Sequence, residues 1–363
     1  MILADAALVL AAGPLGLSLA NLALYRCPAP AAGRPRVSVL IPARDEEANI
    51  GAACAGVLAS EGVELELIVL DDGSTDATPA ILAAIEDPRL RVAASAGLPA
   101  GWSGKQHACQ ALSRLARHEL MVFVDADVRL APDALARMAG FMERHPGLGL
   151  ASGFPAQVTA TWAERLLLPL IHFLLLAYLP MALMRRRLSP GLGAGCGQLF
   201  IARRAAYDRA GGHAAIRASL HDGIQLPRAF RRAGIMTGLF DAAPFARCRM
   251  YSSAAQVWEG LTKNATEGMA KPLALPVWTV ILGGGQVLPA ALMLAVPSAP
   301  AAMALAAGIG LRLALALRFR APVLSALLHP LGVLALLGVQ WAALARAAAG
   351  RPATWRGRAY PAQ

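Results

Sequence analysis

The chain has 363 residues, of which 56% are hydrophobic and only 16% charged, and its mean hydropathy is +0.50. Soluble domains average about 45–50% apolar and about 25% charged residues, so a disordered chain and a purely water-soluble enzyme are both excluded. The net charge of +11 comes from 34 basic residues, of which only Lys105, Lys263 and Lys271 are lysines; the arginines are dispersed or flank apolar runs, without the aromatic interleaving of a nucleic-acid surface. Cys27, Cys54, Cys109, Cys196 and Cys248 are far apart, with no C-x-x-C and no His at ligand spacing, so they make neither a disulfide framework nor a zinc site and suit a reducing compartment.

Residues 2–24 carry no charge except Asp5, and Arg26, Arg34 and Arg36 follow. About 20 apolar residues cross a bilayer. The basic start and short core of a cleaved leader are missing, so the segment reads as an uncleaved anchor over 1–25. The arginines behind it put the next domain in the cytoplasm.

Three short, continuous, β-branched-rich runs come next: VSVLI at 37–41, LELIVL at 65–70 and LMVFV at 120–124. Runs of this kind are strands buried on both faces. Helical stretches fit 46–60, 77–85, 105–116 and 132–145, with Pro132 suited to the start of the last. Strand alternating with helix predicts a parallel or mostly parallel α/β sheet. Ligands of such sheets bind beyond the carboxyl ends of the strands, and each of the three ends is acidic. The first is followed by Pro42-Ala43-Arg44-Asp45-Glu46-Glu47, the second by Asp71-Asp72-Gly73-Ser74-Thr75-Asp76, the third by Asp125-Ala126-Asp127. Asp and Gly also end strands and cap helices routinely; three such clusters on one sheet edge are harder to dismiss.

Asp125 and Asp127, two apart on a chain leaving a strand, can approach one hard cation such as Mg²⁺, which takes one or two carboxylates and fills its shell with phosphate oxygens and water. Gly101-Trp102-Ser103-Gly104-Lys105 precedes a helix, whose N-terminus attracts anions, and Lys105 is a compact charge suited to phosphate. With Gln106 after the Lys this is no P-loop, and no G-x-G-x-x-G follows the first strand.

Residues 166–184 are uncharged but interrupted by Pro169, His172 and Pro180 and closed by Arg185, Arg186 and Arg187. One crossing here puts the motifs before and after it on opposite sides of the membrane. A segment over 164–185 that lies in the interface or dips and returns keeps them together. From 272 to 311 there is again no charge, enough for two helices broken near Pro297 and Pro300, and a third run covers 321–345. Three spans leave the tail outside, whereas its Arg346, Arg351, Arg356 and Arg358 place it inside. One segment is then re-entrant or interfacial, and Gly283, Gly284, Gly285 and Pro289 single out the first.

V-S-V-L-I-P-A-R-D-E-E, V-L-D-D-G-S-T-D and F-V-D-A-D-V together resemble the inverting family 2 glycosyltransferases. So do Gly101 to Lys105, Gly195-Cys196-Gly197-Gln198, Tyr207, Gly211-Gly212-His213, Arg249-Met250-Tyr251-Ser252-Ser253, Trp258, Lys263 and Asn264, which are similar to a membrane-bound branch acting on carotenoids and hopanoids. The resemblance covers about residues 36–270, and Trp355-Arg356-Gly357-Arg358 with Tyr360 also fits. It implies a GT-A (Rossmann-like) α/β domain over 36–270 with an N-terminal and several C-terminal membrane helices (271–346), and a basic tail over 347–363. It implies a multi-pass protein of the inner (plasma) membrane with the catalytic domain in the cytoplasm. The reaction it implies is transfer of a sugar from a nucleotide-diphosphate donor, UDP-linked by preference, to a lipid hydroxyl.

The same resemblance assigns roles. Asp72 binds the base or ribose, supported by Asp71 and Asp76; Pro42, Arg44, Glu46, Gly104, Lys105 and Asp125 complete the donor site. Asp125 and Asp127 hold Mg²⁺ or Mn²⁺ beneath the diphosphate, and Asp222 is the catalytic base. Gln198, His221, Arg249, Tyr251 and Trp258 fall on the acceptor side, although Tyr and Trp also anchor membrane interfaces. Two departures stand out. His221 occupies the place of the family's usual Glu before the base, and a charged His221 close by lowers the basicity of Asp222. There is also no Q-x-x-R-W, which weakens a processive-synthase reading. A polyprenyl-phosphate or polysaccharide acceptor, or a non-catalytic sugar-nucleotide binder, are the alternatives; the bilayer is a partner in every case.

Overall fold

A computed structural model describes residues 2–351, 353–355 and 358–360. Of the tail motif, Arg356 and Gly357 lie outside the described residues, and Ala353–Trp355 pairs antiparallel with Arg358–Tyr360. The chain forms two units, one of Tyr25–Val158 with Leu183–Met250, the other of Met1–Leu24, Thr159–Ala182 and Tyr251–Gln363.

The first unit holds the main sheet. Its strands are β1 (Arg36–Ala43), β2 (Glu64–Asp71), β3 (Leu90–Ala94), β4 (Leu120–Val124), β5 (Val128–Leu130), β6 (Leu148–Phe154), β7 (Ala156–Gln157), β8 (Leu199–Arg203), β9 (Met236–Asp241) and β10 (Ala246–Cys248). Among the described residues, seven form a sheet in the order β3-β2-β1-β4-β8-β6-β9, and β5-β10-β7 make a smaller one. Every pairing in the large sheet is parallel except those of β8, which runs against both β4 and β6.

Side chains alternate across a strand, so strands with apolar residues at successive positions feed two cores. Val37, Val39 and Ile41 join Leu67, Val69, Val122 and Val124 on one face, beneath the helices Ile50–Leu58 and Ala134–Arg144. Leu40, Ile68, Leu70, Met121 and Phe123 point the other way, beneath Gly104–Leu115 and Asp222–Arg232. Burying one such side chain contributes roughly 1.5–3 kcal/mol. The expected strands at 37–41, 65–70 and 120–124 are thus β1, β2 and β4, and the mostly parallel sheet is found. Three of the four helices are shorter than their patterns, Gly104–Leu115 is as long as its own, and Pro132 does not open one. It precedes Asp133, the N-cap of Ala134–Arg144, and its carbonyl accepts the Glu61 N–H at 2.8 Å, a link between loops that a helical start does not permit.

The second unit is mainly helical. The run at 166–184 breaks into Trp162–Leu167, Leu170–Tyr178 and Met181–Met184, because each Pro lacks an N–H; before Pro180 the chain turns extended at Leu179, whereas Leu168 before Pro169 keeps helical dihedrals. Asn21, buried in the helix Ile2–Leu24, serves the second break: its amide donates to the Leu176 and Leu179 carbonyls at 2.8 and 2.7 Å and accepts the Met181 N–H at 3.2 Å. Ile2–Leu24, Ala274–Ala295, Ala299–Phe319 and His329–Ala348 are long and apolar enough to cross a membrane. The second of these is π-helical over Thr279–Val287, around the three glycines. The run at 321–345 is not one helix: Val323–Leu327 stands apart, and Pro330 sits in the first turn of His329–Ala348, where its missing N–H costs nothing.

Candidate active site

β1 lies between β2 and β4, so the loops leaving their carboxyl ends start side by side, with Ala43 opposite Asp71 and Leu40 opposite Phe123. The acidic stretches 42–47, 71–76 and 125–127 therefore share one edge of the sheet.

The first two are laced together. The Asp72 N–H donates to the Ala43 carbonyl at 2.8 Å, and Arg44 Nη1 donates to the Asp72 carbonyl at 2.5 Å. Asp71 accepts from the Ser74 amide and hydroxyl at 3.0 and 2.5 Å. Asp45, at φ 52°, donates its N–H to Ser74 Oγ and takes the Thr75 N–H on its carboxylate at 2.8 Å. The Glu46 N–H goes to Thr78 Oγ1, while Asp76 accepts the amides of Glu47 and Thr78, both at 2.9 Å. Pro42 sits at the half-buried end of β1. Asp72 itself is buried.

The third loop carries the charge cluster. Asp125 donates its N–H to the Gln198 carbonyl and takes the Val128 N–H on its own, both at 3.0 Å, which turns the chain directly after β4. Lys105 comes from the first turn of Gly104–Leu115, whose start is held by the Ser103 N–H on the Arg217 carbonyl at 2.7 Å. The Lys105 ammonium donates to Asp125 at 2.7 Å and to the Gly197 carbonyl at 3.0 Å, and it forms an ion pair with Asp222 Oδ2 at 2.9 Å. Asp222 opens the helix Asp222–Arg232, and its Oδ1 accepts the Gly223 N–H at 2.8 Å.

Burial lifts the Asp125 carboxyl above its usual range, with Lys105 opposing and Asp127 and Asp222 adding. Asp127 is raised too, mainly by burial. At Asp222 burial acts upward, but Lys105 outweighs it, and His213 and His221 pull the same way, so that carboxylate stays below its usual range. His221 occupies the N-cap position of Asp222–Arg232, with its N–H on Ser219 Oγ at 3.0 Å.

Three carboxylates thus face one ammonium, an excess of negative charge that suits a cation. Asp127 Oδ1 is buried without a hydrogen-bond partner. Among the described residues no third His, Cys, Asp or Glu completes a cage. A donor set of two carboxylates fits Mg²⁺ or Mn²⁺ that takes its remaining ligands from phosphate and water.

Three features escaped the sequence reading. Gly197 abuts Asp222: a Cβ there lands 2.0 Å from Asp222 Oδ1. A Cβ on Gly223 would fall 2.8 Å from the Gly195 carbonyl oxygen; the G-x-G string before Gln198 was the available signal. Cys248, in β10, donates to Asp127 and receives Gln198 Nε2 at 2.7 Å, while Gln198 Oε1 accepts from Gln157 at 3.1 Å. Nothing in the spacing of Asp127, Gln198 and Cys248 announces that chain. Gln198 is therefore tied to the 125–127 loop through both its backbone and its side chain. Arg249 is exposed on the same unit, whereas Tyr251 and Trp258 belong to the other; Trp258 is exposed, and the Tyr251 hydroxyl lies against Gly260.

The model of the family described as Glycosyl transferase family 2 matches residues 38–211. The chain is 27% identical over 240 residues to 4,4'-diaponeurosporenoate glycosyltransferase of Staphylococcus aureus strain MRSA252, a match covering 64% of this chain and 61% of that protein. The protein of the same name from strain USA300 is 27% identical over 249 residues with the same coverage. The matches thus span about three fifths of these relatives' length. Among solved structures, Mannosyltransferase PcManGT from Pyrobaculum calidifontis in complex with GDP-Man and Mn2+ has a TM-score of 0.54 at 21% identity, over 96% of this chain and 98% of that one, a likeness of fold. The parallel sheet with its one reversed strand, the acidic strand ends and the match over 38–211 lead to one assignment: residues 38–211 form a glycosyl transferase family 2 domain, and the fold is GT-A.

Proposed function

We propose that the protein transfers a sugar from a nucleotide-diphosphate donor, UDP-linked by preference, to the hydroxyl of a lipid such as a carotenoid or hopanoid, with inversion at the anomeric carbon. The observation that carries this reading is the link from Asp125 through Lys105 to Asp222, at 2.7 and 2.9 Å, beside the Asp71–Asp76 loop. It joins an acid-rich floor suited to a metal-bound diphosphate to a carboxylate suited to an acceptor proton. In the wider donor site, Asp72 takes the base or ribose, supported by Asp71 and Asp76, with Pro42, Arg44, Glu46 and Gly104 around it.

Asp125 and Asp127 would hold Mg²⁺ or Mn²⁺, which when bound stabilises the charge developing on the departing diphosphate. The remaining work falls to the chain. Asp222 stays ionised beside Lys105 and takes the acceptor proton as the hydroxyl attacks. Lys105 orients both carboxylates and adds positive charge on the leaving-group side. Gln198, His221, Arg249, Tyr251 and Trp258 are assigned to the acceptor side. The four apolar helices support residence in a membrane, for which we take the inner membrane with the catalytic domain in the cytoplasm.

The test is release of nucleoside diphosphate by detergent-purified protein with Mg²⁺ or Mn²⁺, a panel of UDP- and GDP-sugars and a lipid extract of the source cells. Release that needs one donor, the lipid and both Asp127 and Asp222, judged by Asp127→Ala and Asp222→Asn, is expected. Donor binding without release from any donor would overturn it in favour of a non-catalytic sugar-nucleotide binder.

A further inference from the structure

The helical unit buries an arginine with one edge of its guanidinium unused. Arg312 lies about two turns before the end of Ala299–Phe319 and is 1% exposed. Its Nη1 donates to the Pro169 carbonyl at 3.1 Å, where the helix Leu170–Tyr178 begins, and its guanidinium carbon sits 5.9 Å from the centre of the Phe173 ring. Nε and Nη2 are buried and have no hydrogen-bond partner among the described residues. No ion pair among those residues includes Arg312, and the sequence from 272 to 348 contains no Asp or Glu.

The geometry of the unused donors is specific. Nε–H and Nη2–H are parallel and form the side-on edge of the guanidinium, the edge that takes both oxygens of a carboxylate or phosphate at once. One neutral carbonyl does not compensate a charge removed from water. An ionisable side chain inside a bundle of membrane-length helices is retained for a partner, and the described residues supply only the Pro169 carbonyl. Aromatic surface lies alongside: the Phe173 ring also packs against His329, centroids 4.6 Å apart, whose Nε2 meets Gln286 Oε1 at 3.1 Å.

We propose that Arg312 anchors a binding site for the anionic head of a lipid, a carboxylate or a phosphate received side-on by Nε and Nη2, with the lipid's apolar chain against the surrounding helices. The site does not depend on the glycosyl-transfer reading. Its test reads lipid binding rather than turnover, so the two stand or fall separately.

The full chain, purified in a neutral detergent and stripped of lipid, is titrated with sodium oleate, phosphatidylglycerol and, as the uncharged control, oleyl alcohol. Native mass spectrometry counts what is bound. Arg312→Lys keeps the charge but loses the fork. Arg312→Met keeps the bulk, and replacing a buried ion by an apolar residue is commonly tolerated; melting curves of both variants report folding. The wild type should bind one anionic lipid roughly tenfold tighter than oleyl alcohol, with Arg312→Lys weaker by about fivefold or more and the preference gone in Arg312→Met. Preference for oleate identifies a carboxylate ligand and preference for phosphatidylglycerol a phosphate. Equal binding of the anionic lipids by wild type and Arg312→Lys, or no preference for anion over alcohol in the wild type, overturns the proposal.

Discussion

At the scale of single residues, Asp222 owes its position to a glycine. A methyl group on Gly197 would lie 2.0 Å from Asp222 Oδ1 and 2.7 Å from its carboxyl carbon, so Gly197→Ala must push that carboxylate off Lys105. Misplacing a reacting group by about an ångström costs on the order of 100-fold in rate. We expect a loss of that size in kcat with the donor KM little changed, read by steady-state nucleoside-diphosphate release. Asp222→Asn keeps the shape and removes the proposed base, which should cost roughly 10²–10⁴-fold in rate if that assignment holds; calorimetric donor binding by this variant should survive. Asp222 was singled out only by the family resemblance, whereas Asp71, Asp72, Asp76, Asp125 and Asp127 were visible in the sequence because they follow short apolar runs, and strand ends are where such sheets bind ligands. Gly197 and Cys248 were not, because their partners Asp222 and Asp127 are remote in the chain and only the fold makes them neighbours.

Elements show the same division between local and distant causes. β1, β2 and β4 were legible because their runs at 37–41, 65–70 and 120–124 are apolar except for Ser38 and Glu66. β6 (LGLASGF) was missed: Gly149 and Gly153 break its pattern, and both are there because a Cβ would fall 2.3 Å from Ile235 and from Phe240. The reversal of β8 has no local signal, since direction is set by its partners. Where β1 and β2 begin, the two-faced core is interrupted by Ser38 and Glu66. Burial acts to raise the Glu66 pKa, but hydrogen bonds from the Ser38 hydroxyl and the Arg117 N–H, with His118 and Arg91 adding, hold it below the usual range. A carboxylate depressed in the fold stabilises it above the unfolded pKa of about 4.3, and that part is lost as pH falls through the lower folded value. Glu66→Gln should therefore lower stability by about 1–3 kcal/mol at neutral pH, and the Tm gap to wild type in detergent should narrow below about pH 4.3. Helix packing gives a second case. A Cβ on Gly285 meets the Leu10 carbonyl oxygen at 2.7 Å, whereas one on Gly283 meets only Leu337 Cδ1 at 3.9 Å. Backbone cannot swing aside, so Gly285→Ala should cost about 1–3 kcal/mol by overpacking, and Gly283→Ala should leave the Tm near wild type.

For the molecule as a whole, two kinds of membrane attachment can be told apart. The excess of arginine attracts anionic headgroups, by roughly 1 kcal/mol for each basic residue near the surface, and salt screens that attraction over a Debye length of about 10 Å at 0.1 M. The helices act differently. Within the most apolar window of each of the four, between 22% and 39% of the residues are buried inside the protein, and large side chains such as Leu294 (90% exposed), Leu317 (72%) and Val280 (64%) face outward. A water-soluble monomer rarely exposes a contiguous apolar patch above a few hundred Å², so hydrocarbon is the medium these surfaces match, and hydrophobic burial is indifferent to salt and to loss of headgroup charge pairing. Membranes containing the protein, washed with high salt and then with alkaline carbonate, should keep it in the pellet, and only detergent should release it. Release by either wash would mean that arginine–headgroup attraction is the whole of the attachment and that the apolar faces are covered by protein, as in a soluble oligomer. Retention would mean that the helices are held by hydrocarbon.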